Sequence, residues 1–202
     1  MTADQFDKFW TSNYALTPPI PYLFRKAYPE RWLRIHSLPE SIRNPRTSSE
    51  WSILLNRQNT LITDLLGAHP AILLVTGEYV IGAETTHQWP ILPTHSIQHV
   101  VVTKLKPIQL ETLNNETTPD AYKPGDVYKP VFSELDWQSS TWNELLKEIA
   151  EEKLDAFFVS IANKLIIAPY DGGVDIILKD KPTQDAYKAK YSDWLSGRVD
   201  GL

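Results

Sequence analysis

Cysteine is absent from the 202 residues, which excludes disulfides, thiolate nucleophiles, cysteine-ligated zinc and iron–sulfur clusters together. Glycine is scarce, with eight residues against fifteen prolines, where average usage would give about fourteen and about ten. Many connections are therefore stiff. No segment approaches the ~20 consecutive apolar residues that span a bilayer. The opening residues Met1-Thr2-Ala3-Asp4-Gln5-Phe6-Asp7 carry acids where a secretory signal needs bases. A cytoplasmic protein with no membrane partner is expected. A net charge of −5 and a pI of about 5.5 remove the electrostatic drive for sequence-independent nucleic-acid binding, so no nucleic-acid partner is expected either. The glycine-rich dinucleotide and phosphate loops, the hydrolase elbow G-x-S-x-G and the zincin H-E-x-x-H do not occur, and no cofactor is expected.

The chain has ample material for a core: 42% of residues are hydrophobic, including seven Trp, nine Tyr and six Phe. Periodicity predicts a first helix over Asp4–Tyr14 that buries Phe6, Phe9 and Trp10, and a short helical turn over Pro21–Tyr28. Trp32–Leu38 alternates as a strand, with Leu33 and Ile35 on one face and Trp32, Arg34 and His36 on the other. Thr47 and Glu50 form a capping box ahead of a long helix that closes at Gly67; Thr141 and Glu144 suggest a second box. Ala71–Thr76 and Ile97–Leu105 read as strands, with Val100, Val101 and Val102 covered on both faces. Asp126–Leu135 is a weaker strand that Pro130 assigns to an edge. Phe157–Ile161, Leu165–Ala168 and Val174–Leu178, separated by Asn163 and Asp171-Gly172 turns, form an antiparallel meander, and a last helix starts at Pro182 and stops at Gly197. These elements predict one α+β domain over residues 1–202, with a mixed or mostly antiparallel sheet, a C-terminal three-strand meander flanked by helices, and a surface loop near 113–125.

No residue stands out as catalytic. His87, His95 and His99 lie close in sequence, but on a strand the last two stand roughly 13 Å apart, too far for one ion. No metal is expected. Asp171 suits a turn whose side chain caps backbone amides. Asp175 interrupts the apolar run Val174, Ile176, Ile177, Leu178 and needs a cationic partner there. The strongest asymmetry is in the arginines: six of seven (Arg25, Arg31, Arg34, Arg43, Arg46, Arg57) fall between residues 25 and 57, interleaved with Tyr22, Phe24, Tyr28 and Trp32. A guanidinium pairs with carboxylates and stacks on aromatic rings. Two readings stay open. The arginines fasten this segment to the acidic remainder, or they face outward, unsatisfied, toward an acidic protein, a nucleotide or a phosphorylated metabolite.

The segments Pro21-Tyr22-Leu23-Phe24-Arg25, Arg31 to Pro39, Pro169 to Ile177 and Trp194-Leu195-Ser196 resemble uncharacterised bacterial proteins of the domain of unknown function 3885 type. The aromatic-Asp, turn, Asp element of that family falls on Tyr170, Asp171 and Asp175, with Gly172-Gly173 where a bulkier or basic residue is typical. The resemblance implies a small bacterial cytoplasmic domain similar in style to toxin-neutralising immunity proteins. It supplies no reaction and no catalytic residue. The resulting expectation is a non-enzymatic, immunity-like protein-binding module whose binding residues include Arg34, His36, Arg43, Asp171 and Asp175. The alternative is a small-ligand protein or enzyme in which Arg34 and His36 meet Asp171 or Asp175 in a cleft around an anionic substrate. Oligomeric state is not legible.

Overall fold

A computed structural model describes residues 1–82, 96–97, 100–196 and 198. Among these residues five α-helices, α1 (Ala3–Asn13), α2 (Phe24–Ala27), α3 (Ser48–Leu66), α4 (Asn143–Ala150) and α5 (Lys181–Lys190), surround eight strands. The strands are β1 (Trp32–His36), β2 (Ala71–Val80), β3 (Thr103–Lys104), β4 (Ile108–Gln109), β5 (Val127–Asp136), β6 (Ala156–Ser160), β7 (Leu165–Tyr170) and β8 (Gly173–Ile177). They form one sheet in the order β1-β8-β7-β6-β2-β5-β3, with β4 also on β5, and every pairing is antiparallel. The protein is an α+β fold with the C-terminal meander β6-β7-β8 at its heart. Among the described residues no helix is long and apolar enough to cross a membrane.

Strand alternation sorts the core onto two faces. Leu33, Ile35, Phe158, Ile167 and Ile176 face α3, α4 and α5, meeting Leu61, Leu65, Leu146 and Tyr191. Phe157, Val159, Ile166, Ala168 and Ile177 face α1 and α2, meeting Phe6, Trp10 and Phe24. Both ends of the longest helix follow local rules. Thr47 Oγ1 accepts from the Glu50 amide while the Glu50 carboxylate accepts from the Thr47 amide, and Gly67 follows the last turn with φ of 55°. The β1 edge is closed by side chains: Gln184 donates to the Trp32 carbonyl at 3.1 Å and Arg57 to the His36 carbonyl at 3.1 Å. Those contacts remove acceptors that an exposed edge offers to other chains.

Three expectations are corrected. Val100–Val102 is not a covered strand: Val101 is 87% exposed, the Val100 amide donates to the Ile97 carbonyl in a turn, and pairing with β5 begins only at Thr103. Pro130 does not weaken β5, which pairs with β2 over ten residues. Its carbonyl accepts from the Leu105 amide on the outer side, so the amide proton that proline lacks would also point outward, where β3 and β4 are only two residues each. The Thr141–Glu144 box does not form; α4 starts after Trp142 with no side-chain cap. Tertiary contacts claim this turn instead, because the Ser140 amide donates to Asn59 Oδ1, Asn59 donates to Asn143 Oδ1, and the Trp142 indole donates to the Asp136 carbonyl. In the proline-rich stretch that follows β4, Asn114 clamps Tyr122 through both its amide oxygen and its amide nitrogen. His87, His95, His99 and Gly197 lie outside the described residues.

Candidate functional site

Arg34 on β1 and Asp175 on β8 are register partners. Their side chains therefore leave the same face of the sheet, and they meet as a bidentate pair, Nε to Oδ1 at 2.7 Å and NH2 to Oδ2 at 2.8 Å. Burial works against the Arg34 charge, and the hydrogen bonds and charge of Asp175 more than offset it, so its pKa stands above the ordinary arginine value. The Arg34 guanidinium also lies over two rings, with its Cζ 4.8 Å from the centroid of Tyr170 and 5.5 Å from that of Trp32. Arg25 covers Trp32 as well, at 5.5 Å. Tyr170 runs across Gly172 and Gly173, whose missing side chains leave room for its ring. Beyond it Arg43 donates to Asp171 Oδ1 at 2.9 Å, and the same oxygen accepts from the Gly172 amide at 2.8 Å. The result is a row of alternating cations and rings: Arg25, Trp32, Arg34, Tyr170, Arg43.

The six clustered arginines divide into two sets. Arg31, Arg34 and Arg57 turn inward. Arg31 donates to the carbonyls of Leu178 and Asn13 and lies over Tyr14 and Tyr28; Arg57 holds the His36 carbonyl and lies over Trp194. The planar fork that suits a foreign carboxylate is used here on the molecule's own acceptors. Arg25, Arg43 and Arg46, with Lys26, are exposed. The Arg43 side chain is 66% exposed although its partner Asp171 is only 4% exposed.

Of the residues singled out from sequence, Arg34 and Asp175 come together, Arg43 and Asp171 come together, and His36 stands apart from both carboxylates' hydrogen bonds. His36 is 6% exposed, and neither ring nitrogen meets a hydrogen-bond partner among the described residues. Burial pushes its pKa down, and the charges of Arg34 and Arg57 push the same way. A hollow of about 300 Å³ is lined by Ile149, Glu152, Leu154, Asp155, Pro169, Tyr170 and Asp171, but not by Arg34, His36 or Asp175. No group of three or more His, Asp or Glu able to hold a metal ion occurs among the described residues. Sequence reasoning missed Tyr170 as a member of the row. The aromatic-Asp signature marked its position, but nothing local says that its ring reaches Arg34.

The turn leading to Arg43 is strained. Glu40 (φ 57°, ψ 22°) and Ser41 (φ 56°) both occupy the left-handed region, and the Ile42 amide closes the turn on the Pro39 carbonyl at 3.2 Å. Neither residue type favours that conformation, whereas Asn and Gly do. Replacing Glu40 with Asn and Ser41 with Gly together is expected to stabilise the protein by about 0.5–1 kcal/mol, read from the urea midpoint at unchanged slope. A loss of stability would show that the Glu40 and Ser41 side chains make contacts that outweigh the strain.

Comparison with curated proteins and with solved structures returns no significant match. Residues 20–198 match a family model described as Domain of unknown function (DUF3885). That span takes in Arg25, Trp32, Arg34 and Arg43 at one end and Tyr170, Asp171 and Asp175 at the other. The whole row therefore lies inside the family's domain, and the chain belongs to the DUF3885 family.

Proposed function

We propose that this protein is a non-enzymatic protein-binding module of the bacterial cytoplasm, immunity-like in style, that engages an acidic protein surface. The observation that carries the reading is the orientation of Arg43. One of its nitrogens is anchored to the buried Asp171, while most of the side chain faces solvent. A cation held in place from behind loses less rotamer freedom when a second carboxylate arrives, so more of the contact energy is realised as affinity. Arg25 is steadied in the same way over Trp32, and Lys26 and Arg46 add exposed positive charge. Such a face steers an acidic partner and raises its association rate, with arginine and aromatic anchors supplying most of the affinity. Exposed Ile42, next to Arg43, gives the surface an apolar contact.

In this reading Arg43 acts at the contact, and Asp171, Arg34, Asp175 and His36 position it from beneath. The cleft alternative draws no support from the geometry, since Arg34 and Asp175 satisfy each other and the His36 ring is enclosed. The test is a complex isolated from the native host and measured at two salt concentrations. Arg25→Glu combined with Arg43→Glu is expected to slow association at least tenfold at low salt and to abolish its salt dependence. A complex whose association rate is unaffected by the double reversal overturns the proposal.

A further inference from the structure

We propose that His36 is an acid-sensitive latch: a proton on its ring opens the end of β1 and releases the turn 37–46 from the Gly172–Gly173 backbone, while the rest of the sheet stays closed. This is independent of any partner. The ring sits at the last position of β1, opposite Gly173, which offers no side chain to it. The ionisable groups around it come from four elements: Arg34 on β1, Arg57 on α3, Asp175 on β8 and Tyr170 on β7, whose hydroxyl comes close to Gly173. Two of these are cations. The single carboxylate has both its oxygens engaged by Arg34, and neither ring nitrogen has an acceptor within reach among the described residues. A neutral imidazole tolerates this enclosure. An imidazolium would be a buried charge beside two guanidinium groups with nothing to receive its protons, which is among the costliest arrangements a fold can hold.

The same end of the strand is held mainly from outside the main core: Arg57 donates to the His36 carbonyl, Arg43 to Asp171, and Leu38 packs into a small cluster with Leu54 and Ala150. Past His36 the Ser37 amide donates to the Gly172 carbonyl at 3.1 Å, and Gln58 donates to Ser37 Oγ at 2.9 Å. The strained Glu40–Ser41 turn follows at once. Upstream, by contrast, Leu33 and Ile35 belong to the main core. Local opening from His36 onward therefore detaches Leu38 from its cluster with Leu54 and Ala150 and exposes the ring, while the main core and the rest of the sheet stay in place.

The sign follows from linkage. The closed form keeps the ring neutral, while the open form binds a proton with the ordinary histidine pKa near 6.5. The open form thus holds more protons once pH falls through that value, and opening becomes easier; above it nothing changes. If the closed form takes up no proton in this range, the opening constant rises about tenfold between pH 7.5 and 5.5. Hydrogen exchange, corrected for its intrinsic pH dependence, is the measurement. Peptides covering 36–42 and 172–174 should show the tenfold rise, with no comparable rise in β6 and β7. His36→Phe should remove the rise in those peptides, which separates His36 from the other four histidines. His36→Gln serves as a second neutral variant should the first not fold. In the wild-type protein the His36 ring resonances should remain those of the neutral form at pH 6. A flat exchange profile, an equal rise throughout the sheet, a rise that survives in the folded variant, or a ring that titrates near 6.5 while the strand stays closed would each overturn the latch.

Discussion

Asp175→Ala is expected to lower the unfolding free energy by about 2–3 kcal/mol, below the 3–5 typical of a fully buried pair because some solvent reaches this one. Side-chain exposures of 19% for Arg34 and 22% for Asp175 mark that intermediate position. Removing the carboxylate leaves a guanidinium largely desolvated, with the rings of Trp32 and Tyr170 and the charge of Asp171 left to offset it. Removing Arg34 as well relieves that penalty. The double variant Arg34→Ala with Asp175→Ala should therefore lose clearly less than the two single variants added together, and the cycle should show coupling of about 1–3 kcal/mol. Urea unfolding of the four proteins reads it directly. Additive losses would mean that the pair contributes nothing beyond two independent side chains. The same variants separate positioning from contact: a partner complex that survives Asp175→Asn unaltered would remove Asp175 from any role in recognition and leave it a purely structural residue.

Gly173→Ala should be at least as damaging, at about 3 kcal/mol. A Cβ at residue 173 would lie 2.2 Å from the Ile35 carbonyl oxygen and 3.2 Å from the Tyr170 hydroxyl. The first of these is backbone of the neighbouring strand and cannot swing away, so β1 must separate from β8 at the point where the row of cations and rings is assembled. Gly172→Ala is the internal comparison. There the close neighbours are Tyr170 Cε2 at 2.9 Å and Arg43 Cγ at 3.2 Å, both on side chains that can rotate. Its expected loss is about 1 kcal/mol, expressed mainly as a displaced Arg43. Thermal melts of the two variants side by side provide the check; equal losses would show that β1 and β8 have slack that this geometry denies.

Where the governing interaction is local, the sequence is a sufficient guide. The Thr47–Glu50 box, the Asn163 and Asp171 turns of the meander, and the alternation that sends Leu33 and Ile35 one way and Arg34 and His36 the other all depend on neighbours within a few positions. Where a distant group competes, the local rule loses. Thr141 and Glu144 carry the letters of a capping box, but Asn59, some eighty residues away, takes the turn for itself. The valines at 100–102 carry the letters of a buried strand, but β5 offers pairing only from Thr103 onward. Pro130 carries the letter of an edge and sits in one of the two longest strands, because the side of β5 on which it lacks a donor is the side with least to receive one.

The candidate site shows the same division. Composition and position made it plain that guanidinium groups crowd the first third of the chain and that a carboxylate stands inside an apolar run near its end, since both are properties of the sequence itself. Which guanidinium meets which carboxylate is a matter of register between strands 141 positions apart, and no local pattern encodes that distance. Closure of the sheet brought Arg34 to Asp175 and Arg43 to Asp171, laid Tyr170 across two glycines to complete the row, and shut the His36 ring away from solvent, because packing satisfies charges and rings with whatever the fold places beside them.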